Sequence, residues 1–340
     1  MSVRPTSSPR VTVAIPTYNR AAWLRRCIES VLAQTYDDFV LVVSDNASSD
    51  ETTEVVSSFS DGRIRYMRHP KNTGLFENHN SCLRRVTSEY VLVLPDDDLL
   101  RPDHLAATVA ALDAHPDAGF VHTAFDVIGP DGQLLTESVD WTYGLSGDTV
   151  EAGTQFIRES MRWSCRVCPS TALIRAAAIP GLFLDEDFPA IDFGMWLRIS
   201  LNWNVVFLSH PLGCFRVHGT SHSASFDQAV GDSYNHGVGT ITGVKGLKQR
   251  FLGAHAERLE DVEQLSRLAE AGMRWELVRL MHNTTVPERS FSSTVRMFRE
   301  LARVDIRLVV EARAWRLVAA SLVGPRTVDW LKSFRPSSGA

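Results

Sequence analysis

Three consecutive carboxylates, Asp96, Asp97 and Asp98, close the apolar run Val91-Leu92-Val93-Leu94-Pro95 in this 340-residue chain. Adjacent acids repel one another, so they persist where water solvates them or a cation neutralises them. A continuous apolar run ended by a turn residue reads as a strand buried on both faces, as in a parallel sheet covered by helices. The acids then sit at the strand's carboxyl end, the edge at which open α/β sheets bind ligands. The plain alternative is a polar turn that starts the next helix, because Asp is a common helix-start residue.

The elements that would position these acids follow from periodicity. Val11–Ile15 reads as a first strand ending at Pro16-Thr17-Tyr18-Asn19-Arg20, and Leu24, Cys27, Ile28, Val31 and Leu32 recur at helical spacing after it. A second strand, Phe39–Val43, runs into Ser44-Asp45-Asn46-Ala47-Ser48-Ser49-Asp50, and a third, Ile64–Met67, into Pro70-Lys71-Asn72-Thr73-Gly74 and a helix carrying Asn78 and Asn80. Strand and helix alternate four times, the pattern of βαβ units and a doubly wound sheet. Asp45, the triplet and the Pro16–Arg20 loop therefore share one sheet edge. Pro102–Ala114 reads as a helix, Gly119–Ile128 and the stretch after Gly129-Pro130-Asp131-Gly132 as two strands, Val205–Leu208 and Leu212–Val217 as two more, and the chain from about Asp227 as helices. The expected divisions are a flexible N-terminus over 1–10, an α/β half over 11–118, a second and more loosely patterned half over 119–226, and a helical region over 227–340.

A net charge of −5 argues against nucleic acid as a partner. The five cysteines, Cys27, Cys82, Cys165, Cys168 and Cys214, are odd in number and irregularly spaced, which points to a reducing, cytoplasmic compartment. The lone C-x-x-C at Cys165 and Cys168 lacks the second pair that zinc sites use. Residues 1–10 have no signal-peptide core, and no apolar span reaches membrane length.

The set Val13-Ala14-Ile15-Pro16-Thr17-Tyr18-Asn19, Ser44 to Asp50, Asn72-Thr73-Gly74 and Pro95-Asp96-Asp97-Asp98 with Pro102, in this order, resembles family 2 glycosyltransferases of the GT-A fold. The resemblance is specific over roughly Val11–Ala114, weaker through Asp192–Ser223 and absent from the tail. It implies an α/β fold with a Rossmann-like, mostly parallel sheet, helices on both faces and a C-terminal helical extension, with 11–118 as the nucleotide-sugar-binding half and 119–226 as the acceptor-binding half. It also implies transfer of one sugar, with inversion, from a nucleoside diphosphate sugar to a carbohydrate, lipid-linked or small-molecule acceptor, with Mn²⁺ or Mg²⁺ as cofactor. By resemblance Pro16, Thr17, Tyr18 and Asn19 cover the nucleoside, Asp45 reads a base N–H such as that of uracil, and Asn46, Asn72, Gly74 and Asn80 complete the nucleotide side. Asp96 and Asp97 approach ribose and sugar, Asp98 is the main metal ligand with Asp96 beside it, and Arg216 and His218 approach the diphosphate, His218 also as a metal ligand.

Asp192, ahead of Trp196-Leu197-Arg198, is the expected general base, although Ile191 and Gly194 stand where many relatives carry acids; Glu186 and Asp187 are alternatives. Each residue also has a structural reading: Asp45 as an Asx-turn, Asp192 as a helix cap, His218 and His222 as structural histidines, Trp163, Trp196 and Trp203 as core rather than sugar-stacking rings. No Gln-x-x-Arg-Trp element of processive members is present. The basic, apolar tail, as in Val309–Val323, reads as a cap on the domain or on a second copy, or as an interfacial helix at the inner face of a membrane. Competing readings are a nucleotidyltransferase, which expects a Gly-rich basic loop that Pro16–Arg20 is not; a dinucleotide oxidoreductase, which expects a G-x-G-x-x-G; and a non-catalytic sugar-nucleotide-binding module.

Overall fold

A computed structural model describes residues 8–142, 144–163, 165–181, 183, 190–218 and 233–288. Strand and helix alternate through β1 (Val11–Thr17), α1 (Ala21–Leu32), β2 (Phe39–Asp45), α2 (Thr52–Ser57), β3 (Ile64–Arg68), α3 (Leu75–Leu83) and β4 (Tyr90–Val93). Then come β5 (Leu99–Leu100), α4 (His104–Ala114), β6 (Ala118–Ile128), β7 (Leu134–Val139), β8 (Thr149–Glu151), α5 (Gly153–Arg162), β9 (Leu173–Arg175), α6 (Ile191–Ser200) and β10 (Asn204–Arg216). Two long helices, α7 (Ser233–Ala254) and α8 (Val262–Glu288), end the described chain.

The sheet order is β3-β2-β1-β4-β9-β6-β10-β5, with β7 paired to β6 and β8 to β10. Pairing is parallel from β3 through β4 and again between β6 and β10. β9 is antiparallel to both its neighbours and joins the two parallel parts. The register sets Thr17 against Asp45 and Ala14 against Val93, so β1, β2 and β4 end on one edge, as their apolar runs imply.

Alternation along β4 divides the core. Tyr90 and Leu92 pack with Leu24, Ile28 and Val109 of α1 and α4, whereas Val91 packs with Phe120, Phe156 and Trp196. Successive strand residues point to opposite faces, so helices cover both. The expected pair of late strands is one strand, β10, whose register breaks on either side of Pro211. A proline has no N–H for the ladder and is tolerated at such an irregularity.

Candidate functional site

A cavity of about 500 Å³ opens at the carboxyl ends of β1, β2 and β4. It is lined by Pro16, Thr17, Tyr18, Asn46, Asn72 and Gly74 from the first loops, by Asp96, Asp97 and Asp98, and by Asp192, Trp196 and Arg216 from the later chain.

The three acids are in three different environments. Asp96 is buried and accepts a 2.6 Å hydrogen bond from Thr17 Oγ1. Burial first and the Asp97 charge second push its carboxyl up to about 7. Asp98 is 1% exposed; its Oδ1 accepts the Arg216 backbone N–H at 2.7 Å and its Oδ2 accepts the Ser170 hydroxyl. Desolvation drives its carboxyl well above the ordinary range. Only Asp97 keeps an accessible carboxylate, 15% exposed, with Oδ2 3.0 Å from His218 Nε2. Both Asp98 oxygens thus join protein donors, which makes this carboxylate a brace between β10 and the 169–171 turn at the wall of the cavity. A divalent cation held by one or two protein groups plus phosphate oxygens needs only a small donor set, and the Asp97–His218 pair fits one. No cluster of three or more His, Cys, Asp or Glu suited to a metal occurs among the described residues.

Arg216 is 1% exposed, and its guanidinium donates to the carbonyls of Asp97 (2.6 Å), Gly129 and Pro130 (both 3.0 Å). Those bonds make it a strut between the acid loop and the β6–β7 turn, beside the cavity that it lines. Its Nη2 has no partner among the described residues.

On the nucleoside side, Asp45 is tied to its own surroundings. The carboxylate is fully buried, accepting Ser48 N at 2.8 Å and the Tyr66 hydroxyl at 2.6 Å, with Arg68 Nε 3.3 Å away. The bond from Ser48 is the local turn of the structural reading, and Asp45 does not line the cavity. The next residue does: Asn46 Nδ2 donates to Asn72 Oδ1 (2.9 Å) and Gly74 O (3.2 Å), and its Oδ1 accepts Thr73 N (2.8 Å). Gly74, at φ 87°, allows the turn into α3 that an L side chain would strain. Asn19 ties loops together, Oδ1 accepting Ser49 N at 2.7 Å, and is not among the lining residues. Asn80 is likewise turned away, clamping Phe183 by accepting its N–H (2.8 Å) and donating to its carbonyl (3.1 Å). Phe183 itself lines the cavity, as do Asn78, His79, Pro169 and Phe215, none of which periodicity singles out for that role. The one available signal was Asn78 at helical spacing from Leu75 and Cys82, on a face of α3 that also carries Ser81; its amide donates to Thr17 O and Ser44 O.

Asp192 sits in the first turn of α6, where the helix dipole favours a carboxylate. Trp196 Nε1 lies 3.4 Å and Cys165 Sγ 3.7 Å from its Oδ2. Burial still raises its carboxyl above the ordinary value. The N-cap position belongs to Ala190, with no side-chain cap bond, so Asp192 is not the helix cap of the structural reading; it does line the cavity. Of the three tryptophans only Trp196 lines the cavity; Trp203 packs against the apolar core, and Arg162 lies over Trp163. Glu186, Asp187, Ser221 and His222 lie outside the described residues.

The described part of the tail packs on the α5–α6 side, with Leu247, Phe251, Leu265 and Ala269 against Ile157, Met161, Phe193 and Leu197. A Cβ at Gly272 would stand 2.0 Å from Arg162 O, so glycine sets the approach of α8 to α5. Lys248 donates to Met161 O at 3.0 Å and Trp163 O at 2.5 Å, which satisfies carbonyls at the end of α5. The segment from 289, including Val309–Val323, lies outside the described residues, and no described helix is long and apolar enough to cross a membrane.

Comparison with known proteins agrees with this architecture. The glycosyl transferase family 2 profile matches residues 12–159. EpsE of Bacillus subtilis (strain 168) is 32% identical over 205 residues, 56% of this chain and 67% of that protein. The chain belongs to glycosyl transferase family 2. Against several other curated relatives it spans 14% to 19% of their length. Among solved structures, Staphylococcus aureus TarS residues 1–349 in complex with UDP-GlcNAc superposes with a TM-score of 0.52 at 18% identity, covering 88% of this chain and 89% of that one. The Pyrobaculum calidifontis mannosyltransferase PcManGT, in complex with GDP-Man and Mn²⁺, superposes with a TM-score of 0.50 at 19% identity, covering 97% and 89%. The fold is the GT-A type.

Proposed function

We propose that the chain transfers one sugar from a nucleoside diphosphate sugar to an acceptor hydroxyl or amine by direct displacement, with inversion at the anomeric carbon. The observation that carries this reading is one cavity lined both by Asp97, paired to His218, and by the Asp192 carboxylate. Asp97 and His218 would hold a divalent cation, Mn²⁺ or Mg²⁺, which when bound supplies charge to stabilise the leaving diphosphate. The presence of GDP-Man and Mn²⁺ in PcManGT and of UDP-GlcNAc in TarS supports the class of donor and cofactor.

Asp192 takes the proton from the acceptor as its oxygen or nitrogen attacks the anomeric carbon and the bond to the diphosphate breaks. A carboxylate whose pKa is raised by burial is a stronger base than an exposed one. The Trp196 N–H, donated to Oδ2, holds that carboxylate in one orientation. Asp96, fixed by Thr17, contacts ribose and sugar, while Asn46 and Asn72 face the nucleoside. The acceptor is a carbohydrate, a lipid-linked sugar or a small molecule. The helices from α7 onward would serve as a cap on the domain, with contact to a second copy or to a membrane surface left to the segment beyond 288.

A thermal-shift screen of UDP-, GDP- and dTDP-sugars with and without Mn²⁺ tests this. A cognate donor at 100 times its Kd stabilises by about 2.7 kcal/mol, and Asp97→Ala should abolish the Mn²⁺-dependent part. Pyrophosphate release from a nucleoside triphosphate, with no response to any sugar nucleotide, would instead favour a nucleotidyltransferase.

A further inference from the structure

Trp23, on the first turn of α1, has no part in the reaction described above, yet it meets the candidate cation site from behind. Its indole stacks on the His218 ring with centroids 4.1 Å apart and planes inclined by 25°. Its Nε1 donates to Pro130 O at 3.3 Å, the same carbonyl that Arg216 Nη1 reaches at 3.0 Å. Arg26, one turn further along α1, donates to Asp131 O at 2.7 Å. The Arg20 guanidinium lies over the indole, 5.5 Å from its centroid. The β6–β7 turn is thus pinned between α1 and the end of β10, and His218 lies two residues beyond the pinned Arg216.

A histidine ring has two free torsions. The 3.0 Å contact of Nε2 with Asp97 Oδ2 fixes only one edge of it, whereas a stacked indole fixes its plane. An indole that is itself hydrogen-bonded resists rotation and holds that plane better than an aliphatic side chain would.

We propose that Trp23 is a positioning residue for His218, and that its stack sets how tightly the Asp97–His218 pair holds a divalent cation. The inference rests on the reading of that pair as the cation site. Groups that orient metal-ligating histidines typically change metal affinity by roughly 10- to 100-fold when removed. The Trp23 stack belongs to that class although it acts through a ring face and not through the second nitrogen.

The test is a Mn²⁺ titration of the intact chain with UDP or GDP present to supply the phosphate oxygens, followed by the electron paramagnetic resonance signal of free Mn²⁺ against a nucleotide-only control, on wild type, His218→Ala, Trp23→Leu and Trp23→Phe. Trp23→Leu should weaken binding about 10-fold, with the circular dichroism spectrum unchanged. Trp23→Phe, which keeps a ring face and loses only the N–H, should recover most of the affinity, an outcome that general loss of packing does not predict. Should Trp23→Leu melt below the assay temperature, Trp23→Met makes the same comparison. Wild-type affinity in Trp23→Leu or Trp23→Met, with binding lost in His218→Ala, overturns the positioning role and leaves the cation site standing. Equal binding by wild type and His218→Ala, or none by either, removes the cation site and this inference together.

Discussion

Replacing Asp97 and Asp98 in turn should separate two effects that their adjacency in sequence conceals. Asp98 is 1% exposed and accepts from Arg216 N and Ser170 Oγ. Asp98→Ala leaves two buried donors without acceptors at about 1–3 kcal/mol each. The sum, roughly 2–6 kcal/mol, lowers Tm by roughly 5–20 °C at a few degrees per kcal/mol. Asp98→Asn is gentler: its carbonyl oxygen can keep the Arg216 N–H and its amide can donate to Ser170, for a loss of about 1 kcal/mol. Asp97 is 15% exposed and meets His218 at the cavity wall, so Asp97→Asn should change stability by less than about 1 kcal/mol. It should nevertheless weaken Mn²⁺ binding by more than the roughly 10- to 100-fold that outer-shell changes bring. Differential scanning fluorimetry and isothermal titration with Mn²⁺ on the four proteins read both quantities. Loss of Mn²⁺ affinity in Asp98→Asn equal to that in Asp97→Asn, at unchanged Tm, would refute the assignment of Asp98 as a brace.

Asp192 works ionised, and burial raises its pKa, so activity should fall as pH drops through a limb above the ordinary carboxylate value of about 4. A kcat/KM profile at saturating Mn²⁺ should show that limb, and Asp192→Asn should lack it while losing roughly 10²- to 10⁴-fold in rate; a limb that survives in Asp192→Asn assigns it elsewhere. Lys248 titrates at about 8 when folded against 10.5 as a free side chain, chiefly through burial. The unfolded chain therefore binds more protons between those values, so stability from this group rises with pH there, by about 3 kcal/mol in all. Wild type should gain on Lys248→Met in melting curves taken from pH 8 to 10, and a constant gap would contradict the buried ammonium. Gly272→Val drives a side chain into Arg162 O and should destabilise by about 1–3 kcal/mol in a urea titration; a neutral result would mean that α8 does not pack at this distance.

The sheet edge was legible because it depends on local pattern. Apolar runs at Val11, Phe39 and Val91 define strands, and parallel pairing brings their polar ends together. The face each polar residue shows to the cavity was not legible. Asp45 and Asn46 are neighbours of opposite direction, and the choice follows from the pairing of Asp45 with Arg68 on β3. Similarly, the braces that occupy both oxygens of Asp98 come from Ser170 and Arg216, 72 and 118 residues away. Periodicity cannot report such distant donors. The Asn80–Phe183 clamp, spanning 103 residues, is hidden for the same reason.

The most direct test of the central claim is a ¹H NMR spectrum of the first sugar product formed from a cognate α-linked nucleoside diphosphate sugar with Mn²⁺. Direct displacement assisted by Asp192 predicts the β-anomer, with formation suppressed in Asp192→Asn. An α-configured product, or undiminished formation in that variant, would contradict it.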